Sequence, residues 1–173
     1  MEGIAISASL LKTLVVHGGA GMVAGRGVTD SPPDFRQGFG LLSLTNVLPK
    51  LSAETWSHYL FVDEASISSF QERAYIITVH ETQTTEPIKV TLSWMDPPNS
   101  VFAAKFLLHD LDITLTTPDG MLLYGNSKGL TDASRDELNN VEQIFLPSSI
   151  VYTQGLYTLR VQSKMLTQSD QQK

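Results

Sequence analysis

Cysteine is absent from the 173 residues. That excludes disulfides, thiolate metal sites and cysteine catalysis together, and it leaves the redox compartment undetermined. No apolar run approaches the roughly 20 residues that cross a bilayer. The N-terminus carries no basic region ahead of an apolar one, so no secretory signal is expected. Basic residues are in deficit, 12 Lys and Arg against 18 Asp and Glu, for a formal net charge of −6. Phosphate binding needs a basic face, so neither nucleic acid nor a membrane is an expected partner. Serines are plentiful, but none stands in a Gly-x-Ser-x-Gly elbow. No repeat with a period of roughly 20 to 50 residues is visible.

What is present centres on one stretch, His109-Asp-Leu-Asp-Ile-Thr-Leu-Thr-Thr-Pro-Asp-Gly-Met-Leu-Leu-Tyr-Gly-Asn126. Alternation places Leu111, Ile113 and Leu115 on one face, with Asp110, Asp112, Thr114 and Thr116 on the other. That is the pattern of a half-buried β-strand. Thr-Pro-Asp-Gly then turns the chain, and Met121 to Tyr124 pairs back as a hairpin.

Upstream, residues 7 to 17 read as a helix. Ser7 is the expected N-cap, Leu10, Leu11, Leu14 and Val15 form an apolar stripe, and Gly18 stands at the C-terminal cap. About three turns are marginal alone, so this helix needs something to pack on. Residues 18 to 40 are rich in Gly and Pro, and Leu41 to Leu48 predicts a helical turn or two, stopped by Pro49. From about residue 55 the signal turns β. Strands are expected over Trp56 to Val62, Ala74 to Val79, Ile88 to Trp94, the hairpin, Val141 to Leu146, and around Tyr157 to Val161. A polar loop spans 125 to 140, and the tail from Gln162 is expected to fray. Seven or more short strands without interspersed helices predict a mainly β protein, an antiparallel β-sandwich or jelly roll with a short N-terminal helical appendage. The expected division is helix and linker over 1–50, the sandwich over 51–166, and a polar tail over 167–173.

Candidate chemistry is sparse. His17-Gly18-Gly19 with Met22-Val23-Ala24-Gly25 is similar to a protease histidine segment, but the insertion breaks that geometry. A histidine closing a helix is the better reading, because its charge suits the dipole. His58 and His80 have no nucleophile predicted beside them. A glycosidase pair of Asp110 and Asp112 would share one strand face with no sugar cleft identified. Acidic residues with Asn neighbours fit a hard cation better, because calcium takes six to eight oxygens from loops. Asp110, Asp112, Asp132, Asp136 and Glu142 are therefore the candidate Ca²⁺ ligands. The competing reading is a solvated polar edge whose Asp and Asn residues serve turns.

Several pieces recur in a telling order: Leu10-Leu-Lys-Thr-Leu-Val-Val, Pro33-Asp-Phe-Arg-Gln-Gly-Phe-Gly40, Val90-Thr-Leu-Ser-Trp-Met-Asp-Pro-Pro98, His109-Asp-Leu-Asp-Ile, Pro118-Asp-Gly120, Gly125-Asn126, Asn139-Asn-Val-Glu142 and Gly155-Leu-Tyr-Thr158. Over residues 7 to 163 this resembles the C-terminal part of subtilisin-like serine proteases that carry a β-barrel or jelly-roll domain behind the catalytic domain. His109 replaces an Asn of that pattern, and Phe39 a Trp. The resemblance implies that residues 7 to 17 are a helix of the catalytic domain and that Gln37 to Gly40 close it. The catalytic triad would then lie outside this chain, which would be inactive alone. Its expected partner is the protease's own catalytic domain, stabilised or shaped for substrate access. A homodimer through the N-terminal helix is a further expectation. The alternative from another class is an independent carbohydrate- or protein-binding module, which exposed aromatics on a sheet face would support.

Overall fold

A computed structural model describes residues 6–22, 33, 37–48, 60–80, 87–128, 132–147, 154–164 and 166. The chain divides into two compact units, residues 1–64 and 65–173.

In the first unit, helix α1 spans Ala8–His17. The Ser7 side chain caps it by accepting from the Leu10 N–H at 3.0 Å, so the sequence-read cap holds. Gly18 does follow the helix, but at φ −67°. Its smallness, not a left-handed turn, is what the site needs, since a Cβ there would crowd Leu42 and the Ser43 carbonyl. Two residues of β1 (Gly19–Ala20) pair antiparallel with two of β2 (Leu41–Leu42). Gly40 has φ +93°, and a Cβ on it would collide with the Ala20 carbonyl. This gives the Gly-Phe-Gly segment its physical meaning: two backbones approach too closely for side chains. The expected helical turn after residue 41 is a two-residue strand followed by a short 3-10 turn, Leu44–Asn46. Pro49 and residues 50–59, with Trp56 and His58, lie outside the described residues. Residues 60–62 belong to no strand and are exposed, which corrects the strand expected there.

The second unit is the β structure. Four strands, β3 (Glu72–Val79), β8 (Gly155–Ser163), β5 (Leu111–Thr116) and β6 (Leu122–Tyr124), form one antiparallel sheet in that order. A second sheet pairs β4 (Ile88–Ser93) with β7 (Val141–Leu146). Val79, Ile113, Leu115, Leu123 and Tyr157 from the first sheet meet Ile144 and Leu146 from the second in one core. Facing sheets with a shared apolar interior make the architecture mainly β and sandwich-like. A second cluster, Ile67, Trp94, Leu107, Leu111 and Leu166, fills one end. Leu166 lies beyond the residue where the tail was expected to fray. The chain stays ordered there because Ser163 donates to the Ser68 carbonyl and Leu166 reaches the core.

The hairpin forms as read, with Thr114 opposite Tyr124 and Thr116 opposite Leu122. Thr117 and Met121 close the turn with a 2.9 Å bond from the Thr117 N–H to the Met121 carbonyl. The polar face of β5 departs from the expected half-burial. Asp110, Asp112 and Thr114 are as buried as the apolar face. Part of the loop between β6 and β7 lies over them, and its contacts define the site below.

Candidate functional site

Two short bridges set up the entry to β5. Asp96, just past β4, accepts from the backbone N–H of Leu108 at 2.9 Å and of His109 at 2.7 Å. One carboxylate thereby closes the loop over residues 97–107. The buried Trp94 indole donates to the His109 carbonyl at 2.8 Å. His109 is itself buried, with Nδ1 3.8 Å from Asp96. Backbone contacts anchor this position, so a His can stand where the resembling family has an Asn.

Beyond it the carboxylates meet cations. Lys164 donates to Asp110 Oδ2 at 2.9 Å and to Glu137 at 3.0 Å, and Lys105 reaches the same Asp110 oxygen at 3.3 Å. Arg135 donates to Asp112 Oδ2 at 2.7 Å and to Gln162, with its guanidinium 5.7 Å above the Tyr124 ring. That guanidinium lies between the Asp112 carboxylate and the Tyr124 ring. Burial alone would lower the Lys164 pKa, but its bonds to Asp110 and Glu137 outweigh that and raise it. The bond that Arg135 donates to Asp112 likewise raises the Arg135 pKa. Both cations therefore stay charged beside their carboxylates.

A second construction fixes the β6–β7 connection. Asn126 adopts φ +54°. Its side-chain amide donates to Asp136 at 2.6 Å and to the Val141 carbonyl at 2.8 Å, while its side-chain oxygen accepts from the Gln143 N–H at 3.0 Å. Its own N–H reaches the Gln143 carbonyl at 2.9 Å. One residue thus seams β6 to the free edge of β7, joining the two sheets at that corner. Asp136 also accepts from the Leu138 and Asn139 backbones and from the Asn139 side chain. Burial pushes its carboxyl up, but these hydrogen bonds win and hold it below the usual range. The Gly-Asn and Asn-Asn-Val-Glu segments of the sequence are the two halves of this seam.

Glu142 follows directly and points inward. Its Oε2 accepts from the Ile113 N–H at 2.7 Å, and it packs so tightly on Gly125 that a Cβ there would strike the carboxyl. Burial pushes its pKa up to about 9, against the Ile113 bond and with the charges of Asp112, Asp136 and Asp110 adding to the rise. At neutral pH it is a protonated acid in the core.

Of the five residues chosen from sequence, Asp110 and Asp112 come together through Lys164, which lies 3.9 Å from Asp112. Asp136 and Glu142 lie near enough to act electrostatically on one another. Asp132 serves its own loop, accepting from Ser134 at 2.9 Å and Lys128 at 3.1 Å, and those bonds lower its pKa. One oxygen on each of Asp110, Asp112 and Glu142 has no hydrogen-bond partner. Among the described residues, no group of three or more His, Asp or Glu side chains is placed to hold a metal ion. Sequence reasoning missed Lys105, Arg135, Glu137 and Lys164. The fold brings Lys164 there through strand register: Asp112 pairs with Gln162, and Lys164 donates its N–H to the Asp110 carbonyl. What the arrangement does chemically is cross-link, by charge, two loops and the ends of β5 and β8.

The fold and this charged corner define a β-sandwich-like unit with a small helical unit ahead of it. No protein-family model matches the chain. It is similar to the serine protease/ABC transporter B family protein tagA of Dictyostelium discoideum, 30% identical over 173 aligned positions that cover 92% of this chain. The chain spans 9% of that protein's length.

Proposed function

We propose that this chain is a non-catalytic portion of a subtilisin-like serine endopeptidase, in which the β-sandwich stabilises the catalytic domain or shapes substrate access. The observation that carries this reading is the state of the first unit. Leu11, Val15, Leu41, Leu42, Leu44 and Leu48 are all exposed, by 46 to 67%. Apolar surface of this density on a three-turn helix and a four-residue sheet belongs against another polypeptide. The similarity to a protein named as a serine protease supports the choice of that polypeptide. The sandwich supplies rigidity: its charged corner offers cross-links, not a nucleophile activated by a base.

The test has two readouts. The 173-residue chain should hydrolyse no peptide substrate and take no label from a serine-directed fluorophosphonate. Added in trans to a subtilisin-like catalytic domain from the same polypeptide, it should raise that domain's melting temperature. Labelling of the isolated chain, or an unchanged melting temperature in the mixture, would defeat the proposal.

A further inference from the structure

The end of the sandwich that carries the charged corner also carries bare hydrophobic side chains. Phe102 is 94% exposed, Leu138 81%, Val101 80%, Phe106 68% and Met95 53%. The loop that holds most of them is braced. Asn99 donates to the carbonyls of Lys105 and Phe106 at 2.8 and 3.2 Å, Ser100 accepts from Phe102, and Asp96 grips the loop's far end. Leu138 comes from the neighbouring loop, which Glu137 ties to this one through Lys105 at 3.9 Å. Solvent-facing aromatic side chains on a braced loop lose little conformational entropy on docking.

We infer that this end of the sandwich is a self-association surface, on which a second copy of the chain docks about a two-fold axis. Two observations select a copy of the chain over other occupants. The first is charge. Lys105 and Glu137 stand side by side at the edge of the patch, 47% and 59% exposed. Lys105 already lies 3.3 Å from its own Asp110, and Glu137 accepts from its own Lys164 at 3.0 Å. A two-fold axis passing between Lys105 and Glu137 would let each Lys105 add the partner's Glu137 to these contacts. A lipid surface would instead have to take up an acidic side chain beside the phenylalanines. The second is area. The two phenylalanines alone offer roughly 300 Å² of apolar surface at the usual aromatic size. A standard interface uses about 450 Å² of apolar area per partner, and Met95, Val101 and Leu138 make up the rest.

Sedimentation velocity of the whole chain over a dilution series tests this. A reversible dimer that stops at two copies is expected, since an isologous interface closes on itself. Phe102→Ser with Phe106→Ser should convert it to monomer with an unchanged melting curve, both side chains being exposed. Lys105→Glu should weaken the dimer several-fold, and Leu11→Ser with Val15→Ser in the helix should leave it intact. Three results would overturn the inference. One is a wild-type chain that stays monomeric, whether or not it binds vesicles. Another is a dimer that survives the double Phe variant, and the third is open-ended association.

Discussion

The two units put the same residue types to opposite use. Leu11, Val15, Leu41 and Leu42 in the first unit face solvent, and its one buried side chain on α1 is Ser9. In the second, Ile113, Leu115, Leu146 and Trp94 are almost completely enclosed. The first is held by polar groups: Ser43 N–H and the Asn46 side chain both donate to the Gly18 carbonyl, and Gln37 accepts from the Met22 N–H. Hydrogen bonds of this kind contribute about 1 kcal/mol each, net of water. Burial of one large apolar side chain contributes about 2 kcal/mol without needing direction. A motif can therefore keep its local geometry while the apolar side that would anchor it stays bare.

The sharpest way to break this comparison is to delete one side chain from each unit. Trp94→Ala should cost about 4 kcal/mol, because it opens a cavity and strands the His109 carbonyl that the indole serves. Leu11→Ala should change stability by less than about 0.5 kcal/mol. Equilibrium denaturation reads both. Comparable losses would mean that the first unit has a core of its own.

Next in size is the charged corner, where the sandwich departs from the rule that buried means apolar. Arg135→Ala leaves Asp112 buried with only Lys164 at 3.9 Å. The expected cost is about 2 kcal/mol, short of the full penalty for an orphaned charge because that ammonium remains. Adding Asp112→Asn should restore most of it. A double variant no better than the single would show that Arg135 acts by stacking on Tyr124.

These residues also mark how far the sequence could be read. The Ser7 cap, the hairpin and the strands from residue 72 onward all follow from local rules: capping, period-two alternation, turn chemistry. The failures are tertiary. Alternation placed Asp110, Asp112 and Thr114 on an open face, and nothing local says that Arg135, more than twenty positions away, lies over them. The acidic residues looked like one ligand set because the cations that answer them come from three other segments. Asn126 read as one more oxygen-bearing neighbour of the candidate cation ligands, and only the fold reveals it as the seam between the sheets. Residues 60–62 have strand-forming side chains but no strand, because among the described residues no strand is paired with them.

Glu142 sharpens the contrast between a paired and an unpaired buried acid. Its folded pKa, raised to about 9, exceeds its unfolded value. Between the two, the unfolded chain has released a proton that the folded chain retains. Stability should therefore fall as pH rises from about 4.5 to about 9. Glu142→Gln mimics the protonated acid and should flatten that slope, leaving the variant the more stable protein at pH 8. Parallel pH profiles for both proteins would show instead that Glu142 is ionised in the folded state.

The smallest expected effect concerns calcium. The unpartnered oxygens of Asp110, Asp112 and Glu142 are what a hard cation would take. Against them stands the charge already in place. Asp110, Asp112 and Glu137 face Lys105, Lys164 and Arg135, so carboxylates and cations balance. A divalent ion entering would have to displace an ammonium held at 2.9 Å or share its carboxylate. Melting in EDTA and in millimolar Ca²⁺ should thus give the same midpoint, since a ligand raises it only by binding the native state. An upward shift that disappears in Asp110→Ala would turn the corner from an ion-pair lock into a cation site. Lys164→Met separates the two further: with the ammonium gone, the carboxylates regain a net negative charge, and a calcium-dependent midpoint should appear in that variant alone.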